Sequence, residues 1–347
     1  MGIWYATRED VKSAQDFKET ARSDAKVDRV IESASRSIEA LCHRRFYPML
    51  ATRRFDFPRE DTSKSWRLWL DSNELISVSS MTSGSTPITA GEYLLRRSDD
   101  LDEPPYTRVE VDLDSSATFG GSSTQQAVTI TGLYGFRNDE SAAGSVVGSI
   151  DTSAVRLEVT DSSAIGVGSL LRIGTERLTV TAKSQKDTGQ NLQTPLTASV
   201  GEVTVAVGDG TTFSIGEVIL VDAERMLITD IGGNNLFVKR SWDGTVLAAH
   251  TNSDIYAPRT LTVSRGVLGT TPNAISNGAS IARWDPPGPV RELCIAEALN
   301  SLQQTSAGYA RTAGSGENER ELKLYGLSSL RSSVYATYGR MARLRVV

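Results

Sequence analysis

The chain is short of the residues that carry most enzyme chemistry. Its 347 residues include two histidines, His43 and His250, and two cysteines, Cys42 and Cys294. Acid-base, nucleophilic and metal-centred catalysis need such groups held close together, and no metal-ligand spacing, Walker loop or dinucleotide fingerprint occurs. Cys42 and Cys294 sit among apolar neighbours in helix-patterned stretches and read as small buried thiols. His43 lies near a helix end, where a cation is favourable, and reads as a structural or surface residue. "GDG" at Gly208–Gly210 reads as a turn, and the Glu176–Arg177 and Glu224–Arg225 pairs read as strand-face charges. No catalytic, cofactor-binding or metal-ligating residue is assigned, and an enzyme is not expected.

Long apolar runs are missing too. None approaches the roughly 18 residues of a membrane span, and "MGIWYATRED" lacks a basic leader followed by an apolar segment, so a cytosolic site of synthesis is expected. Excess positive charge is absent: 42 acidic against 37 basic residues argue against a protein that coats DNA by neutralising phosphates. Aromatics are sparse, at 7%. In the middle of the chain Phe213, Phe237, Trp242, Tyr256 and Trp284 are spread thinly, which weighs against a sugar-binding face.

What is present is periodicity of two kinds. Thr7 with Asp10 three residues later predicts a capped helix over "TREDVKSAQDFKET". After a break near Ala21, Ser23 is the expected cap of a second helix reaching Arg45, with Val27, Val30, Ile31, Ala34, Ile38 and Leu41 along one face. Pro289 opens a further helix with Val290, Leu293, Ile295, Leu299 and Leu302 as its apolar face. Between them, Leu68 and Leu70, then Val109, Val111 and Leu113, alternate with polar residues as strands. In "AVTITGLYGF" the alternation is expected to break at Gly132 and Gly135.

From about Ala143 to Asp285 helical periodicity vanishes and a repeat takes its place. Val155–Thr181 aligns without a gap on Val203–Thr229, at an offset of 48, with identities that include Gly168, Glu176 and Arg177. "KRSWDGTV" at Lys239–Val246 is echoed by "SRGVLGTT" at Ser264–Thr271, which pairs His250 with Ile275. The second unit is therefore expected to be nested inside the first, with the two R-x-x-x-G-T stretches as equivalent corners whose glycine takes a positive φ.

Ser306–Glu319 is rich in glycine and serine and reads as a mobile connector. Beyond it Leu327, Leu330, Val334, Tyr338, Met341 and Leu344 recur at steps of three and four. No acidic residue follows Glu321, while Arg331, Arg340, Arg343 and Arg345 do. Two readings of this amphipathic basic helix stand: a face packed on the chain's own helices, or a helix that docks on an acidic partner.

The ordered set of "TREDVKSAQDFKETARSDAKVDRVIESASRSIEALCHRRFYP", a sheet closing with "VTITGLYGF", "PPGPVRELCIAEALNSL" and the basic C-terminal helix resembles head-to-tail adaptor (connector) proteins of long-tailed bacteriophages. The resemblance implies an α+β fold. It predicts a discontinuous helical-bundle connector domain with a small antiparallel sheet at 1–143 and 285–347. An inserted all-β domain, sandwich- or barrel-like, at 144–284 would carry the two nested repeat units. It implies a homo-oligomeric ring, typically twelvefold, between the portal protein and a tail-side neck, stopper or tail terminator protein. Genomic DNA would pass through without specific binding; the protein would reside in the virion neck, and in host cytoplasm during assembly. The portal-binding residues it implies are Leu327, Leu330, Val334, Tyr335, Tyr338, Arg340, Met341, Arg343, Leu344 and Arg345. The rival expectation is a β-rich host- or glycan-binding protein, or another neck or tail accessory.

Overall fold

A computed structural model describes residues 2–14, 24–57, 64–97, 102–306, 312–313, 320–321 and 325–340. The break near Ala21, the Ser23 cap, most of the connector after Ser306, and Met341, Arg343, Leu344 and Arg345 lie outside these residues. The chain forms two compact units. One comprises Met1–Ile38, Glu140–Val267 and Thr271–Thr337; the other comprises Glu39–Asp139, Leu268–Thr270 and Tyr338–Val347.

The described helices are α1 (Arg8–Ala14), α2 (Asp24–Cys42), α3 (Gly288–Ser306) and α4 (Tyr325–Tyr338). α1 begins where the capping pattern places it. The Asp10 N–H donates to Thr7 Oγ1 at 3.1 Å and the Thr7 N–H donates to Asp10 Oδ2 at 2.8 Å. In α2 the residues Val27, Ile31, Ala34 and Ile38 are buried along one stripe, and His43 follows at φ 52, exposed. In α3 Val290, Leu293, Cys294, Ala298 and Leu302 are buried.

The second unit holds β1 (Met49–Phe55), β2 (Arg67–Trp69), β3 (Leu75–Ser83), β4 (Thr86–Ile88), β5 (Tyr93–Arg96), β6 (Arg108–Val111) and β7 (Val128–Tyr134). They form two antiparallel sheets in the orders β1-β7-β3-β4 and β2-β6-β5. One core, with Leu68, Leu75, Met81, Val109, Ile130 and Tyr134, lies between their inner faces. Gly132 does not end β7, contrary to the sequence expectation. It pairs with Ala51 and Val78, and a Cβ there would stand 2.2 Å from the Ser77 carbonyl oxygen, so glycine lets two backbones close up inside the sheet. Leu113, expected inward, is 70% exposed because Val111 is the last residue of β6.

The helical-bundle connector domain with a small sheet is overturned. Among the described residues the fold is mostly β, 37% strand against 21% helix, with four helices and large antiparallel sheets. The physical reason lies in strand length: β4 and β5 are three and four residues long, too short for alternation to register beside the longer helical stripes.

In the first unit the strands are β8 (Glu140–Val147), β9 (Arg156–Val159), β10 (Leu170–Ile173), β11 (Glu176–Asn191), β12 (Thr204–Ala206), β13 (Val218–Val221), β14 (Glu224–Gly232), β15 (Asn235–Lys239), β16 (Asp254–Ser264) and β17 (Ser280–Trp284). β18 (Thr312–Ala313) and β19 (Arg320–Glu321) pair with each other. Following the pairings from β11 through β10, β17, β8, β9 and β16 returns to β11, which closes a six-stranded antiparallel barrel. Its core contains Leu157, Leu171, Leu178, Val180, Leu261, Val263 and Ile281.

A second barrel grows from the far halves of the same two strands. There β16 pairs with β13, β13 with β14, β14 with β15 and β15 with β12. The Gln193 N–H donates to the Ala206 carbonyl at 2.9 Å on the remaining side. Its core contains Val205, Ile219, Met226, Ile228, Leu236, Val238 and Ile255, in the same order of structural positions as the first. Register is shared residue by residue: Leu170↔Thr179 through Ile173↔Glu176 recurs as Val218↔Leu227 through Val221↔Glu224. Even a bulge recurs, after Val180 in one copy and after Ile228 in the other. In the second copy a two-residue turn, Gly233 and Asn234, joins the hairpin strands, with Gly233 at φ 60. In the first copy the equivalent hairpin opens and the whole second barrel occupies the gap.

Candidate functional site

Each barrel is tied at one corner by a buried glutamate and an arginine, in matching geometry. In the first, Arg265 Nε and Nη2 donate to Glu176 Oε1 and Oε2, both at 2.6 Å, and the N–H groups of Gly266 and Asn273 add bonds of 3.1 and 3.0 Å. In the second, Arg240 Nε and Nη2 donate to Glu224 Oε1 and Oε2, both at 2.8 Å, joined by the N–H groups of Ser241 and Ala248 at 2.9 and 3.0 Å. Each arginine also donates to backbone carbonyls, Asp151, Ala154 and Asn273 for Arg265, and Thr197, Glu202 and Ala248 for Arg240. Both glutamates are fully buried, so their reading as strand-face charges is corrected.

These corners are the echoed R-x-x-x-G-T stretches. Positive φ falls at matching places: Gly266 at 61 and Ser241 at 54, Leu268 at 56 and Asp243 at 52, Gly269 at 82 and Gly244 at 71. The conformation brings two successive backbone stretches over the carboxylate, which a regular hairpin would not.

The second corner carries an addition. His250 is buried and sets Nδ1 2.7 Å from Asp222 Oδ2 and Nε2 2.9 Å from Glu224 Oε2. Its partner in the first barrel is Ile275; each makes an isolated bridge, Leu196↔His250 and Ile150↔Ile275. The imidazole therefore serves the clamp without being required by the fold. Burial works to raise the Glu224 carboxyl, but bonds from Arg240, His250 and the two N–H groups outweigh it and hold it at about 2. The same balance lowers Glu176, without a histidine, and the His250 bond lowers Asp222. With both carboxylate oxygens engaged and no exposure, each clamp supplies cohesion.

The ten residues assigned to a portal contact fall into four groups. Val334 is 1% exposed, and Tyr338 packs edge-on against Phe46 and Phe136 at ring centroids 5.9 and 5.7 Å away. Leu327, Leu330 and Arg340 are half-buried, and the Arg340 N–H donates to the Cys42 carbonyl at 2.9 Å. Tyr335 is 46% exposed. Met341, Arg343, Leu344 and Arg345 are outside the described residues. α4 is further held by Arg331, whose Nη1 donates to Glu297 Oε1 of α3 at 2.6 Å. Burial keeps the Glu297 carboxyl above its ordinary range despite that arginine. The inward stripe of α4 is thus spent partly on the chain itself.

Both thiols are buried, with Cys294 Sγ 3.5 Å from Ser35 Oγ and pushed up to about 11 by burial. Sequence reasoning missed the clamps. The signal was there, since an arginine opens each echoed corner and a glutamate sits at the same offset in each copy; what was not visible is that corner and glutamate meet. No family model, curated protein or solved structure matches the chain.

Proposed function

We propose that the chain is a structural protein of a tailed-phage head-to-tail joint, assembled as a ring between portal and tail, through which DNA passes without being bound. One observation carries this reading. α4 is moored through Val334, Arg331 and Tyr338, and the sequence that follows it, "MARLRVV", keeps a single sign of charge. A moored helix leading into a cationic, partly apolar segment suits attachment to an acidic partner surface repeated around a vertex, where modest contacts add by avidity. The portal contact then falls to Tyr335, Arg340, Met341, Arg343, Leu344 and Arg345. Val334 and Tyr338 are left to hold the helix. A net charge of −5 suits a channel wall along which duplex DNA slides.

Deleting Met341–Val347 spares the buried face of α4 and tests the proposal. The expected outcome is DNA-filled heads without tails and without this protein in purified particles. Normal tailed particles carrying the shortened chain would overturn it.

A further inference from the structure

Duplication gives a control within the molecule: two corners of one shape, of which one has a ligand in its own chain. The Leu50 N–H donates to the Leu268 carbonyl at 2.9 Å. Gly269 lies so close to the Leu50 carbonyl that a Cβ on it would be 2.0 Å from that oxygen. The first corner is thus a clip for a strand edge. Its left-handed residue presents a carbonyl, and the glycine after it clears space for the strand's own carbonyl.

The second corner has the same backbone, with Asp243 at φ 52 and Gly244 at φ 71 in the places of Leu268 and Gly269. Among the described residues, no N–H donates to the Asp243 carbonyl. Asp243 and Val246 are exposed, Val246 at 81%. The Asp243 carboxylate is held by Arg225 and by Lys12 Nζ at 3.1 Å, which fixes the corner's conformation and keeps a carboxylate at its tip.

A strand of matching chemistry is present in every copy. Because the Leu50 N–H points away from β7, alternation turns Thr52 and Arg54 the same way. Both are exposed, and the described residues give their outward backbone groups no partner. β1 has no bulge and no proline. The opposite edge of this sheet, β4, is blunted by Pro87. Among the described residues no carboxylate lies within 4.0 Å of the Arg54 guanidinium, whereas the second corner carries one.

We infer that the second-barrel corner of one copy clips onto the open edge of β1, at Thr52–Arg54, in the next copy. It would do so as the first-barrel corner clips onto Leu50 within the chain. The Thr52 or Arg54 N–H donates to the Asp243 carbonyl, Gly244 clears the strand, and Arg54 meets the Asp243 carboxylate. Such a contact joins two different patches and therefore propagates head to tail, the kind that closes into a ring. It rests on the ring reading above and names the surfaces that reading leaves open.

Single variants Arg54→Cys and Val246→Cys place thiols on exposed positions, while both native thiols are buried. Mixed and oxidised at low concentration, they are expected to give a disulfide-linked heterodimer. Either variant alone should give none, and the double variant should give a ladder of cross-linked multimers. Native mass measurement of the unmodified chain separates the two readings. Rings without cross-links would end the clip assignment and leave the ring; a monomer without cross-links would end both. Charge reversal, Arg54→Glu, is expected to weaken self-association at least tenfold, and unchanged association would also overturn the clip.

Discussion

Glu224 and Glu176 are carboxylates placed where water cannot reach them, and each is tolerable only because an arginine and two backbone N–H groups converge on it. Removing one partner of such a pair strands a buried charge, which costs about 3–5 kcal/mol. Arg240→Leu and Arg265→Leu are each expected to lose about that much, read as the shift of the chemical-unfolding midpoint. His250→Ile copies what the first barrel does with Ile275 and leaves Glu224 its arginine and N–H donors, so a smaller loss of about 1 kcal/mol is expected. An equal loss for all three would mean that the imidazole is as necessary as the guanidinium. Much at this scale was readable. Thr7 and Asp10 announced their cap, and the pairing of His250 with Ile275 followed from the repeat. The depth of Glu176 and Glu224 was not, because a charged residue beside another charged residue in a strand looks like a wet edge until the corner that covers it is known.

At the scale of elements, β11 and β16 are the members that matter most. Their pairing runs from Thr179↔Ser264 to Asn191↔Asp254, with one barrel built on each end. The second barrel is therefore a passenger at the tip of a hairpin whose counterpart, β14–β15, needs two turn residues. Replacing residues 185–259 by Gly-Asn between Ser184 and Thr260 is expected to leave a folded first barrel, because those two residues are already strand neighbours. Retained cooperative melting and β-type circular dichroism would bear this out; a chain without a melting transition would sink it. The repeat was legible from the 48-residue offset, since identities at Gly168, Glu176 and Arg177 fall in strands and turns of fixed geometry. The sheets of β1–β7 were less legible. Short strands leave little pattern, and Gly132, which reads as a strand breaker, is there to admit the Ser77 carbonyl.

For the molecule as a whole, the clamps make stability depend on acid. Glu224 is held at about 2, below its ordinary 4.5, and Glu176 is also lowered. A carboxylate whose folded value is depressed stabilises the fold above its unfolded value and loses that contribution as pH falls through the folded one. Glu74 and Glu297, raised by burial, work in the opposite sense. Melting of the first unit is therefore expected to drop between about pH 4.5 and 2, with the drop reduced in Glu224→Gln. A melting temperature unchanged over that interval would show that the clamps contribute little.

Nesting also sets an order of events when the chain folds. The inner barrel is contiguous in sequence, whereas the outer one must gather strands from both sides of it. Once the inner barrel has formed, Ser184 and Thr260 are neighbours, so the long excursion between them behaves as a short loop and its closure entropy no longer opposes the outer barrel. The inserted module is in this sense a scaffold for its host: contact order, measured along the chain, overstates how far apart the two halves of the outer barrel are when they meet.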